Sequence, residues 1–342
     1  MSFFYLLSQK FKGIALPLLV LMAQALNAQT ASDSVHFNAP GKLIDIGGYK
    51  LHLYSTGNGK SNIVFISGAM GYSFDWMLLQ QKLSPKAKVC SYDRAGLAWS
   101  DIGPLPRTLA QDVYELHKLL QASNTKPPFI LVGQSIGGLI ARQFAREYPS
   151  EVCGMVLVDA TSENGLFGIK GKIQRMRETA SNDRTIPPVK HAIDSFTIAT
   201  AAQKKQEFEK NHKPFQLKPE WDSLQKVRAW ASSLSKSATA DGSDFWPEEF
   251  KAIYDDSLHY KMGNKPLMVL CSIKNNYPQG WDMRDSMMND KIRNQQHFLT
   301  FSTNSKFITT EKSGHEIHVT EPELVIDAIE RVMYAVKRKA RL

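Results

Sequence analysis

Short apolar runs separated by amphipathic stretches set the rhythm of this chain. Asn62 to Ile66, Ala87 to Tyr92, Phe129 to Val132 and Val152 to Val158 are apolar at most positions, the pattern of strands buried on both faces of a sheet. Between them, Leu109, Val113, Leu116 and Leu120 form one stripe at helical spacing, with Thr108 in place to cap it and Lys126-Pro127-Pro128 to end it. Leu139, Ile140, Phe144 and Ala145 form a second stripe, stopped at Tyr148-Pro149. Strand, helix, strand, helix predicts a parallel α/β sheet. Two strands precede it, Gly41 to Ile46 and Tyr49 to Ser55, and Gly47-Gly48 between them supplies the positive φ of a tight hairpin. The strand pattern returns at Pro266 to Ser272 and Lys306 to Thr310. Leu324, Val325, Ala328, Ile329 and Val332 then give a closing helix its apolar face, with Thr320-Glu321-Pro322-Glu323 reading as its capping box.

Three segments depart from this rhythm. From 162 to 263 polarity rises, β-runs disappear, and Phe167, Phe196, Phe215, Trp221, Trp230 and Trp246 stand far apart. This predicts a helical cap insertion whose aromatics form a small core of their own. Asn275 to Gln295 is polar and carries Asp282 and Asp285, the pattern of a long loop. At the N-terminus, Lys10 and Lys12 precede an apolar run from Ile14 to Leu26 and then small residues, the order found in a signal peptide. That run is short for a bilayer span and no second one follows. The expected organisation is a signal peptide over 1–28, a core formed by 29–161 and 264–342, and the cap between them. Export to the periplasm or medium follows, with no stable membrane insertion after cleavage; an uncleaved N-terminal anchor is the alternative.

Composition narrows the function classes. The net charge of +9 is scattered, apart from Lys337-Arg338-Lys339 and Arg341 at the C-terminal end, so a nucleic-acid surface is not expected. Cys90, Cys153 and Cys271 each belong to an apolar strand-like run, where a free thiol behaves as a small hydrophobe. Their odd number and wide spacing fit neither a zinc site nor a disulfide framework. No metal or organic cofactor is implied.

The chemistry gathers at the ends of the strands. Phe129 to Gly138 runs through Gly133-Gln134-Ser135-Ile136-Gly137, a Gly-x-Ser-x-Gly turn between a strand and a helix. Such a turn strains its central residue and holds Ser135 Oγ out above the sheet edge, as a nucleophile requires. Ser67-Gly68-Ala69-Met70-Gly71 is a glycine-rich loop at another strand end. Its Ala69 N–H and the Ile136 N–H are the candidate donors to a developing oxyanion. His315, in the loop Lys312-Ser313-Gly314-His315 after the last strand, is placed as a general base. His318 is expected to pack locally, and Asp93 with Arg94 to form a structural ion pair.

Together, Ser67-Gly68-Ala69-Met70-Gly71, Tyr92-Asp93-Arg94-Ala95-Gly96, Gly133-Gln134-Ser135-Ile136-Gly137-Gly138, Val156-Leu157-Val158-Asp159 and Ser313-Gly314-His315 resemble the α/β-hydrolase fold family from about Gly41 to Val336. The resemblance implies an eight-stranded, mostly parallel α/β-hydrolase sheet with a helical cap insertion and a Ser-acid-His triad in that chain order. Ser67 and Gln134 stand where many members carry histidine, and Ala98 where glycine is common. Two residues compete for the acid: Asp159, at a strand end, and Asp282, in the polar loop at the more usual family position. Asp159 is favoured because a strand delivers it rigidly to the catalytic edge. The expected catalytic set is Ser135, Asp159 and His315, acting on a small-molecule acyl substrate, with a carboxylic ester as the bond cleaved. An amide or peptide hydrolase, or a non-catalytic small-molecule-binding homologue, are the alternatives.

Overall fold

The computed structural model describes residues 39–169, 172–199, 202–203, 206, 231, 246–257, 260–275 and 283–342. The expected signal peptide, most of the expected cap and Asp282 lie outside the described residues. Ten strands follow in chain order among the described residues: β1 (Lys42–Asp45), β2 (Lys50–Thr56), β3 (Asn62–Ile66), β4 (Lys88–Tyr92), β5 (Phe129–Gln134), β6 (Val152–Val158), β7 (Leu166–Ile169), β8 (Lys172–Arg175), β9 (Leu267–Ser272) and β10 (Ser305–Thr310). Eight of them form one sheet in the order β1-β2-β4-β3-β5-β6-β9-β10. β1 and β2 pair antiparallel, as do β2 and β4, and every other pairing is parallel. The opening hairpin turns at Gly47 and Gly48, both at positive φ, with Asp45 Oδ1 accepting from each of their N–H groups at 2.9 Å.

Among the described residues the α-helices are α1 (Met77–Leu83), α2 (Leu109–Ala122), α3 (Ile136–Glu147), α4 (Trp246–Ser257), α5 (Arg284–His297), α6 (Ile317–Thr320) and α7 (Pro322–Arg338). They cover both faces of the sheet, which is why its central strands are apolar throughout. Successive side chains of one strand divide between the two layers. Val64, Leu131, Leu157 and Val269 join Val113, Leu116 and Ile140 in one core. Ile63, Phe65, Ile130, Val132, Val156 and Leu270 join Leu79, Val325 and Ile329 in the other. Thr108 caps α2 by accepting from Gln111 N at 3.1 Å, as its type predicts.

Three local expectations are corrected. The segment from 162 does not begin as helix, because β7 and β8 form a separate two-stranded antiparallel hairpin. Its strands of four residues are too short and too partially buried to show a β-run in the sequence. From Arg284 the polar stretch 275–295 runs in a helix of 14 residues, α5, which ends at His297 and whose buried side chains include Asp290, Asn294 and Gln295 beside Met287 and Met288. Buried polar groups with partners removed the apolar stripe that marks a helix. The capping box at α7 is absent: Glu321 occupies the N-cap with no side-chain cap bond. Its carboxylate accepts instead from Thr310 Oγ1 at 2.6 Å and Ser313 Oγ at 3.0 Å, which ties the helix start to the loop that carries His315.

Candidate active site

Ser135 stands between β5 and α3 at φ 53, ψ −124, a conformation that costs an L-residue free energy and persists only where its surroundings impose it. Here they do. Ser135 N donates to Val158 O at 3.2 Å, and Ser135 O accepts from Gly138 N at 3.0 Å and Thr161 N at 2.9 Å. A Cβ on Gly133 would overlap the Gly137 carbonyl, and one on Gly137 would overlap Ile66 O. Only glycine at both positions lets α3 begin this close to the sheet. As the first helical residue, Ile136 leaves its N–H outside the helical ladder.

The Ser67–Gly71 loop lies against the same turn. A Cβ on Gly68 would meet the Gln134 side-chain amide and come within 2.9 Å of Ser135 Cβ. Arg94 fixes this loop from below, donating from its two terminal nitrogens to Ser67 O and Gly68 O, each at 3.0 Å. The ion pair expected between Asp93 and Arg94 is therefore replaced by separate roles. Asp93, fully buried, accepts from His52 Nδ1 at 2.8 Å and from Ser73 N at 2.7 Å. In the Ser67–Gly71 loop Ala69 and Met70 are exposed, and Met70 is itself at φ 53.

Asp159 directly follows β6 at a positive φ of 44, with its side chain wholly inaccessible. Its Oδ1 accepts from Ser272 N at 2.9 Å. Its Oδ2 lies 2.7 Å from His315 Nδ1 and accepts from Lys291 Nζ at 2.9 Å. The His315 ring is half exposed, and its backbone carbonyl accepts from Gln134 Nε2 at 3.2 Å, linking the histidine loop to the residue beside Ser135. The structure thus brings Asp159 and His315 together. Among the described residues, no hydrogen bond joins Ser135 Oγ to His315; the serine hydroxyl faces Thr161 Oγ1 at 3.4 Å. His318 is buried and packs its ring on Trp76, centroids 4.4 Å apart.

A pocket of about 380 Å³ opens beside the Asp159–His315 pair, between Ala160, Leu166, Phe167, Met287, Met288 and Lys274. Thr161, which faces the Ser135 hydroxyl, is on its wall. The residue missed in the sequence is Lys291, which sits on α5 inside the stretch read as a loop. Beneath the site Cys271 is buried, and burial together with the negative Asp159 pushes its thiol up to about 12. No group of three or more metal-ligating side chains occurs among the described residues, and no helix among them is long and apolar enough to cross a membrane.

The family model for the alpha/beta hydrolase fold matches residues 62–322. The chain belongs to this family. Uncharacterized protein YqjL of Bacillus subtilis is 25% identical over 300 residues, covering 87% of this chain and 94% of its own length. Uncharacterized protein YbdG of the same organism is 30% identical over 133 residues, and the match spans 41% of its length and 38% of this chain. Among solved structures, a thermophilic esterase from Thermogutta terrifontis is similar at TM-score 0.54 and 19% identity, over 84% of this chain and 94% of its own. Potato (Solanum tuberosum) epoxide hydrolase I is similar at TM-score 0.58 and 14% identity, over 86% and 98%. At these identities the solved structures speak for the fold alone. The hydrolase family and its eight-stranded sheet are those implied by the sequence motifs.

Proposed function

We propose that the protein is an exported serine hydrolase that cleaves a carboxylic ester, with Ser135 as nucleophile, His315 as general base and Asp159 as the acid that orients it. The observation that carries this reading is the 2.7 Å contact of His315 Nδ1 with the buried Asp159 carboxylate, at the same sheet edge as the strained serine. With Nδ1–H donating to Asp159, the ring's other nitrogen, Nε2, holds the lone pair that a base needs. Ser135 Oγ attacks the acyl carbon as its proton passes to Nε2. The N–H groups of Ala69 and Ile136 receive the oxyanion, and the imidazolium returns the proton to the departing alcohol. Water then repeats the sequence and releases the acid from Ser135. The contact between Ser135 and His315 is one that active sites often complete only with substrate in place.

Hydrolysis of chromogenic esters of increasing acyl length, beside the matching anilides, tests this reading. Burst kinetics and turnover on an ester are the expected result. Turnover confined to the anilides would transfer the activity to amide bonds, and release no faster than in buffer would leave a binding protein. Export is tested separately: secreted or periplasmic protein should begin near Gln29, and a mature protein that begins at Met1 would refute cleavage.

A further inference from the structure

The carboxylate of Asp159 meets two nitrogen donors at one oxygen. His315 Nδ1 and Lys291 Nζ stand 2.7 and 2.9 Å from Oδ2, while Ser272 N satisfies Oδ1 at 2.9 Å. Lys291 also donates to Ser272 O at 2.8 Å. It therefore binds both the carboxylate and the backbone of the β9 residue that holds the carboxylate's other oxygen. Its side chain is 25% exposed, which places the ammonium at the wall of the pocket rather than in bulk water. A triad acid needs a partner only in the imidazole, so a lysine on the same oxygen calls for an explanation.

From this geometry we propose that Lys291 is a positioning residue that acts by its charge: held on the Asp159 oxygen that His315 uses, it offsets part of the negative charge the imidazolium would otherwise feel. The proposal rests on the triad reading above. The other charged and titratable groups around the pair come from every neighbouring element. β9 contributes Cys271, and the loop after it contributes Lys274. From α5 comes Asp290, neutralised by Arg175 of β8 at 3.0 Å. The His315 loop carries Lys312 and Glu316. The Cys271 thiol is also hydrogen-bonded to the Asp159 side chain but carries no positive charge. Among the described cations other than the imidazole, Lys291 alone reaches the carboxylate oxygen that His315 uses, so removing its charge alters the pair directly.

The sign separates this role from mere scaffolding. If Lys291 acts by charge, its loss strengthens the hold of Asp159 on a protonated His315, because a nearby cation opposes a second one. If it were only a brace, its loss would slacken the Asp159–His315 contact and work the other way. Two variants of the full chain, Lys291→Met and Lys291→Arg, are compared with wild type in two measurements. These are the pH dependence of kcat/KM on a chromogenic ester and the pH at which the His315 ring resonances move by NMR. In Lys291→Met both the acid limb and the ring transition should lie about one pH unit higher than in wild type. Lys291→Arg, which keeps the charge, should restore the wild-type position. A transition in Lys291→Met at or below the wild-type pH, or an Arg variant that behaves as the Met variant, overturns the proposal. Should Lys291→Met fail to fold, Lys291→Gln is read by the same criteria. Because the ring transition needs no turnover, a shifted transition in a protein that hydrolyses nothing would support Lys291 while refuting the hydrolase reading. Normal turnover without the shift would refute Lys291 alone.

Discussion

Replacing Asp159 by asparagine changes one oxygen of a carboxylate whose two oxygens receive three nitrogen donors: Ser272 N, His315 Nδ1 and Lys291 Nζ. An amide can offer its oxygen to only one side. If that oxygen stays with Ser272 N, the NH₂ group faces the imidazole N–H and the ammonium; if it turns, the NH₂ faces the Ser272 N–H. In the first arrangement His315 is driven to the tautomer that protonates Nε2 and leaves no base for Ser135. The template for this loss is a fall in kcat of about 10⁴, equivalent to about 5 kcal/mol of transition-state stabilisation. The structural cost is smaller. One buried donor left facing a donor costs about 1–3 kcal/mol, which in a domain of this size lowers Tm by several degrees and leaves the protein folded. Asp159→Asn is therefore expected to fold, melt a few degrees early, and turn over an ester about four orders of magnitude more slowly at saturating substrate. Asp282→Asn is expected to stay near wild type. A kcat for Asp159→Asn within tenfold of wild type, with Asp282→Asn inactive, would refute the assignment of the acid.

Other expected outcomes follow from the buried groups. Cys90, Cys153 and Cys271 are free, and burial pushes their thiols up to about 12, 11 and 12, so at pH 8 the native protein should react slowly with an aromatic disulfide reagent and the denatured protein should release three thiols. Fast titration of the native fold would contradict that burial. Asp194 is lowered from 3.8 to about 2 by the Thr197 N–H and hydroxyl. Glu163 lies below its usual value because burial, the largest single influence, which raises it, is outweighed by the charge and hydrogen bond of Arg142 at 2.8 Å acting together with a backbone hydrogen bond and His297. A depressed carboxyl contributes stability above its unfolded value that is lost as pH falls through the folded one. Tm should therefore drop as pH falls from about 4.5 toward 2, and Glu163→Gln should flatten part of that drop; an unchanged acid slope would count against the pair. Arg94→Met frees the carbonyls of Ser67 and Gly68, so kcat should fall by at least tenfold with KM less affected; equal changes in both would argue that the loop does not hold the oxyanion.

The parts of this molecule legible in the sequence are those where burial is uniform. β3, β5, β6 and β9 are apolar along their length because helices cover both faces, and the turn at Ser135 announces itself by glycines that the strand–helix crossing requires. What was hidden depends on polar groups satisfied across long sequence distances. α5 presents Asp290, Asn294 and Gln295 inward, where Arg175, Asn164 and the Ala160 carbonyl meet them. No local periodicity shows such a helix, and Lys291 was hidden with it. Glu321 had the spacing of a capping box but found better partners in Thr310 and Ser313. Asp93 and Arg94 are neighbours in sequence whose side chains serve different loops.

The central claim, that Ser135 is the residue acylated, is tested most directly by treating the intact protein with a fluorophosphonate and locating the adduct by peptide mass spectrometry. The account predicts one adduct, on the peptide that contains Ser135, with loss of ester turnover in proportion to labelling and no labelling of Ser135→Ala. An adduct on another residue, or turnover that survives in Ser135→Ala, would contradict it.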